Sequence, residues 1–155
     1  MTEISEKRIL RLQKNLPIIR NLAGWTAEDL GERIGVTRQT ITNMEKSHAL
    51  AMTKTQYIAI RAVLDYQIEE TQNTALADAI TVLVDADNLT TEQAKQINDT
   101  ITSITKEKTR RVNDKIVLEG ITALIAALGT IGGLALKTAL KKSSTVPKWL
   151  SDLMN

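Results

Sequence analysis

One stretch, residues 26–45, constrains the fold of this chain more than any other, because it carries the start signal and the buried stripe of a short helix. Thr26 is a suitable N-cap, and Asp29 three residues later completes a capping box. Leu30 and Ile34 recur at i, i+4, the spacing that places two apolar side chains on one helical face. We therefore predict a short amphipathic helix in the first half of this stretch.

A second helix pattern follows a turn at Gly35, where glycine readily takes a left-handed backbone conformation. Thr37 is placed to cap this second helix, and Ile41 and Met44 face inward at i, i+3. The opposite side of the helix carries long or polar side chains, namely Arg38, Gln39, Thr42 and Asn43. Such groups are the donors and acceptors that read base edges in the major groove of DNA. The two patterns together predict a helix-turn-helix motif.

The stretch resembles the XRE (Cro/repressor) family of phage and bacterial regulators over about residues 15–68, which is under half of the chain. The matching positions are Leu30, Gly31, Gly35, Val36, Ile41, Met44 and Glu45. The resemblance implies a five-helix type of helix-turn-helix DNA-binding domain over residues 1–68, with a recognition helix at about 37–46. The DNA-binding residues that it implies are Thr37, Arg38, Gln39, Thr42, Asn43 and Lys46.

The same resemblance has implications for positions around the motif. Arg20 matches a family arginine that forms a structural ion pair with the acid at Glu45. Ala27 departs from the family, which often has a phosphate-contacting Gln at this position, so that contact is not expected here. Gly31 stands where the family usually has Ala, and the resemblance implies that the position needs a small residue because the two helices pack there.

The implied function is that of a sequence-specific regulator of transcription, and a repressor in particular, which binds double-stranded DNA. Because one such domain contacts only half of a site, we expect a homodimer. The alternative is a helix-turn-helix protein that acts mainly through protein partners, with its contact to DNA reduced. The net charge of only +2 keeps that alternative open, whereas the polar groups on the second helix favour DNA binding. The sequence does not identify a small-molecule or protein effector.

The composition argues against catalysis and metal binding. The chain contains no cysteine, which excludes disulfides, thiolate metal ligands and cysteine nucleophiles. His48 is the single histidine, in a predicted loop, and the carboxylates are scattered over predicted helix faces. We therefore expect no enzymatic activity, no metal and no cofactor. The charged N-terminus without an apolar run lacks the pattern of a signal peptide, so we expect a cytoplasmic protein.

The rest of the chain also shows helical patterns, so the predicted fold class is all-α. Pro17 suits the first turn of a helix at about 16–23, and a further helix is expected at about 53–67 before a polar linker. Residues 74–155 are expected to form a helical C-terminal region for dimerisation or sensing. Its predicted elements are a helix over 75–86 with Asp78 and Asp85 outside, a long helix capped by Thr90 and Gln93, and an apolar helix that contains glycines.

That apolar helix, residues 120–136, carries no charge over 17 residues. One interpretation is a membrane contact or tether, and the other is a pair of short helices buried in a helical core or a dimer interface. Seventeen residues lie at the lower end of the range that spans a bilayer, and glycines weaken a continuous helix, so we favour the buried interpretation. The basic stretch 106–115 is expected to be a solvated helix face rather than a second phosphate-contacting surface.

Overall fold

The computed structural model describes residues 3–46, 48–87, 89–106 and 146–154, with side chains in the long helix as far as Asp99. Every regular element in these residues is helical, which confirms the all-α fold class. The elements are α1 (Glu3–Leu22), α2 (Ala27–Ile34), α3 (Arg38–Met44), α4 (Lys54–Thr71), α5 (Thr74–Ile80), a π-helical turn (Thr81–Asp85), α6 (Thr91–Lys106) and α7 (Lys148–Met154). One hydrophobic core receives side chains from every one of these elements.

α1 is longer than the sequence predicts and begins at Glu3 rather than near residue 16. Pro17 lies inside this helix, where it lacks an N–H to donate and would ordinarily kink or end the helix. The buried side chains of α1 lie on both sides of Pro17 and share one core: Ile9, Leu12, Leu16, Ile18 and Ile19. Tertiary packing thus outweighs the local preference, and the predicted helix start beside Pro17 is wrong.

α2 and α3 form the predicted pair of helices around a turn at Gly35. The capping box at Thr26 makes both of its hydrogen bonds, at 2.9 and 3.0 Å. Gly35 takes a left-handed conformation, with a φ of 79°, and ends α2. Leu30, Ile41 and Met44 are buried, as predicted. Burial of Ile41 and Met44 leaves the other side of α3 toward solvent.

α4 extends to Thr71, past the predicted end at residue 67, and α5 begins at Thr74. α5 and the π-helical turn pack against α1, and α5 also contacts α4. Their buried residues are Leu76, Ala77, Ala79, Ile80, Val82, Leu83 and Val84. These side chains belong to the same core as α1, so they do not form an apolar face that is free for a partner.

The sequence predicts that Asp85 lies outside on a solvated face, and this prediction is wrong. Its carboxylate accepts two hydrogen bonds from Arg61 on α4, at 2.7 and 3.0 Å. The side chain of Arg61 is 3% exposed and that of Asp85 is 26% exposed. In the same turn, the carbonyl of Val84 accepts a hydrogen bond from Arg11 at 2.8 Å. Polar contacts therefore join the chain after α4 to α1 and α4, in addition to the apolar core.

α6 begins with the predicted capping box, in which Thr90 and Gln93 exchange hydrogen bonds at 3.1 and 3.0 Å. Ile97 anchors α6 to the core, since it is buried. α7 contributes Trp149 and Leu153 to the same core. The end of the chain thus packs onto the helices that precede α6.

Two predicted features lie outside the described residues: the apolar stretch 120–136 and the basic stretch from residue 107 to 115. The division of the chain into residues 1–68 and 74–155 also stays a prediction. Among the helices that the structure describes, none is long and apolar enough to cross a membrane. The described residues likewise contain no group of three or more His, Asp or Glu side chains placed to hold a metal ion.

Candidate nucleic-acid interface

The solvent-facing side of α3 carries the polar residues that the sequence singles out. All six are exposed or half-buried: Thr37, Arg38, Gln39, Thr42, Asn43 and Lys46. The four inside α3 follow the spacing i, i+1, i+4, i+5, and residues four apart lie above one another on a helix. The structure therefore brings the predicted DNA-binding residues together along one helical face.

Gln39 and Asn43 form a hydrogen-bonded pair on this face, in which Gln39 Nε2 donates to Asn43 Oδ1 at 3.0 Å. The bond leaves the carbonyl oxygen of Gln39 as an acceptor and the amide nitrogen of Asn43 as a donor. Adenine presents the complementary groups in the major groove, the N6 donor and the N7 acceptor. The pair is thus chemically suited to an adenine edge.

The hydroxyl groups of the two threonines in this set also form hydrogen bonds with the backbone of α3. Thr37 caps α3 by accepting a hydrogen bond from the Thr40 N–H at 3.2 Å, and the hydroxyl of Thr42 donates to the Gln39 carbonyl at 3.0 Å. Within the described part of the chain, the charged groups of Arg38 and Lys46 have no partner. These two cations are therefore available for an anionic ligand.

The distance between α2 and α3 depends on a glycine. A Cβ atom on Gly31 would lie 2.7 Å from the carbonyl oxygen of Val36 and 3.3 Å from the backbone of Thr37. The Val36 N–H also donates to the Gly31 carbonyl at 2.9 Å, so the turn packs directly on α2. The position therefore requires a small residue, and even the methyl group of alanine would require the backbone to shift.

Arg20 and Glu45 join α1 to the end of α3. Arg20 Nε and Nη2 donate to the two carboxylate oxygens of Glu45 at 3.1 and 3.0 Å. The two side chains are only 15% and 12% exposed, and Arg20 also donates to the Trp25 carbonyl at 3.0 Å. A bidentate pair of this kind fixes direction as well as distance, so it orients α3 relative to α1.

The start of α2 offers little to an anion. Ala27 has no side-chain donor, and Glu28 and Asp29 place two acids in the first turn. The Arg33 guanidinium lies 4.6 Å from the centroid of the Trp25 ring and donates to the Asp29 carbonyl at 3.1 Å. It is therefore engaged in contacts within the domain. Contacts to phosphate are therefore expected from α3 and its ends rather than from α2.

Residues 18–69 match the family model described as helix-turn-helix. Residues 18–69 are an XRE-type helix-turn-helix domain. The matched range, under half of the chain, contains α2, the turn at Gly35, α3 and α4. A domain of this type is a DNA-binding regulatory unit and does not belong to an enzyme family. No curated protein and no solved structure matches the chain.

The helix-turn-helix domain is supported by a residue that precedes its matched range and that the sequence analysis misses. Gln13 Nε2 donates to the carbonyls of Met44 and Leu50 at 3.1 and 2.9 Å, and Gln13 Oε1 accepts from the Met52 N–H at 2.8 Å. These three bonds hold the loop between α3 and α4. No local signal marks Gln13, because its partners are 31 to 39 residues away.

Proposed function

We propose that this protein is a sequence-specific regulator of transcription, and specifically a repressor, that reads double-stranded DNA with α3 in the major groove. The observation that carries the proposal is the polar face of α3, which is presented to solvent while Ile41 and Met44 are buried behind it. The close contact at Gly31 and the Arg20–Glu45 pair fix the position of this helix. A rigidly held polar helix is the kind of element that enters a major groove.

Base reading is assigned to the side chains in the middle of the face. Arg38 suits guanine, because a guanidinium can donate to both O6 and N7. The Gln39–Asn43 pair suits adenine, and the methyl group of Thr42 suits the methyl of thymine. Thr37 and Lys46, at the two ends of α3, are assigned to the phosphate backbone, which fixes register but carries no sequence information.

We further propose that the protein binds as a homodimer to a site with two-fold symmetry, because one domain of this size contacts only a few base pairs. The apolar residues of α5 and the π-helical turn are buried within the chain. The dimer contact is therefore assigned to the chain from α6 onward. We expect the protein to act in the cytoplasm.

The salt dependence of binding tests this function. The affinity of the full-length protein for duplex DNA, measured by fluorescence anisotropy, should fall steeply between about 50 and 200 mM salt, because phosphate contacts release counterions. Lys46→Ala should reduce the slope of log K against log salt by about one, whereas Lys7→Ala, on the exposed start of α1, should leave it unchanged. Binding that does not respond to salt, or no binding at all, contradicts the proposal.

The alternative function is binding of a protein partner through the same face of α3. The scarcity of cations at the start of α2 favours it, since Ala27 lacks a donor and the first turn carries Glu28 and Asp29. A protein that folds and dimerises but shows no affinity for duplex DNA at low salt would support this alternative.

A further inference from the structure

A second surface of the chain holds α7. Trp149 and Leu153 are each only 7% exposed, although α7 is a short helix close to the chain end. The Trp149 ring meets the Tyr57 ring edge to face, with 5.9 Å between centroids, and the Arg61 guanidinium lies 5.1 Å from the centroid of Trp149. We call this surface, formed by Arg8 on α1 and by Tyr57, Arg61 and Asp65 on α4, the α7 groove.

Two polar contacts set the direction of α7 in the groove. Trp149 Nε1 donates to a carboxylate oxygen of Asp65 at 2.6 Å, and Arg8 donates to Asp152 at 3.0 Å. One contact lies on α4 and the other on α1, so α7 bridges the two helices. Among the described residues, no backbone hydrogen bond joins α7 to another helix. The contacts that the described residues show between α7 and the other helices are therefore made by side chains.

The two cations of the groove also have partners outside α7. Arg61 pairs with Asp85 at 2.7 Å, and Arg8 pairs with Asp87 at 2.6 Å. Asp65 loses the indole N–H but becomes accessible to water, which can hydrate its carboxylate. Removing α7 therefore leaves neither guanidinium uncompensated, and an uncompensated buried charge is what makes the loss of a buried ion-pair partner costly. The groove is thus a preformed site whose two cations do not depend on α7 for a partner.

We propose that the α7 groove is a peptide-binding site for an amphipathic helix, and that α7 of a second copy of this chain can replace the chain's own α7. The recognised features are a Trp that reaches Asp65 and Arg61, an acid three residues later that reaches Arg8, and a Leu four residues after the Trp. Exchange of α7 links two chains and leaves the polar face of α3 free. The inference does not rest on DNA binding, and its test contains no DNA.

A labelled peptide of residues 146–155 tests the proposal when it is titrated with the full-length protein and followed by fluorescence polarisation. The full-length variant Trp149→Ala frees the groove and should bind the peptide roughly tenfold or more tightly than the wild type, whose own α7 competes. A peptide that itself carries Trp149→Ala should bind this variant at least roughly tenfold more weakly, since a buried aromatic anchor dominates such contacts. The full-length variant Ser151→Ala, changed at an exposed position of α7, should bind the unaltered peptide with the affinity of the wild-type protein.

Circular dichroism shows whether Trp149→Ala folds, and Asp152→Ala provides the same test if it does not. Asp152 is 37% exposed, so its removal breaks the contact with Arg8 without opening the core. This second variant should also bind the peptide more tightly than the wild type does. A folded variant that binds no more tightly than the wild type, or equal binding of the peptides with and without the Trp, overturns the proposal.

Discussion

The ion pair between Arg61 and Asp85 predicts that Asp85→Ala strongly destabilises the helix-turn-helix domain, although Asp85 lies beyond its matched range. Arg61 is 3% exposed, and Asp85 accepts the hydrogen bonds from both of its terminal nitrogens. Removing one partner of a buried pair costs about 3–5 kcal/mol, because the other charge is left uncompensated. The rings of Tyr57 and Trp149 still lie 5.9 and 5.1 Å from the Arg61 guanidinium and attract its charge, so we place the expected loss at the lower end of this range, about 3 kcal/mol.

A double-mutant cycle separates the pair from the other effects of the substitution. Arg61→Met should cost less, about 1–2 kcal/mol, because Asp85 is 26% exposed and water can hydrate it. The double variant should be close to Arg61→Met, which corresponds to a coupling energy of about 3 kcal/mol, equal to the expected cost of Asp85→Ala alone. Urea unfolding followed by circular dichroism measures each value, with the exposed Asp99→Ala as the control. A loss below about 1 kcal/mol for Asp85→Ala would refute the claim that the Arg61–Asp85 pair stabilises the attachment of the π-helical turn to α4.

Three further predictions follow from single contacts. Gly31→Ala should destabilise the protein by up to about 2 kcal/mol, because overpacking outweighs the helix preference of alanine; a higher thermal midpoint contradicts this. Gln13→Ala should cost about 1–3 kcal/mol in urea unfolding, whereas Lys14→Ala should change stability by under about 0.5 kcal/mol. Burial raises the pKa of Asp65 above 3.8, because the cost of burying its charge outweighs the hydrogen bond from Trp149. The folded state therefore holds the Asp65 proton more tightly than the unfolded state does, and this stabilisation is lost as pH rises through the folded-state pKa. Asp65→Asn should therefore raise the urea midpoint at about pH 7 but not at about pH 3, and an equal rise at both argues against it.

The features of the fold that depend on neighbouring residues are predictable from the sequence. The capping boxes at Thr26 and Thr90 involve residues three positions apart, and both form. Gly35 ends α2 in a left-handed conformation, and the stripe of Ile41 and Met44 is buried. These outcomes follow from local hydrogen bonding and helical periodicity, which is why the polar face of α3 is also predictable.

The features that depend on distant partners are not predictable in the same way. Arg61 finds Asp85 at a separation of 24 residues, and Trp149 finds Asp65 at a separation of 84. Pro17 stays inside α1 because the core on both sides of it holds the helix together. One signal was present in the sequence: Arg61 lies four residues after Tyr57 and three before Leu64, which places it on the apolar stripe of the helix, and a charge inside such a stripe indicates a buried ion pair.

Selection of bound duplexes from a random DNA library tests most directly whether α3 reads base sequence. The wild-type protein should enrich one motif with two related halves. Gln39→Ala should weaken the preference for adenine at one position of each half by roughly 5- to 150-fold, which corresponds to about 1–3 kcal/mol, and should leave the other positions unchanged. Enrichment of no motif by the wild type, or an identical motif for the variant, would contradict recognition by this face of α3.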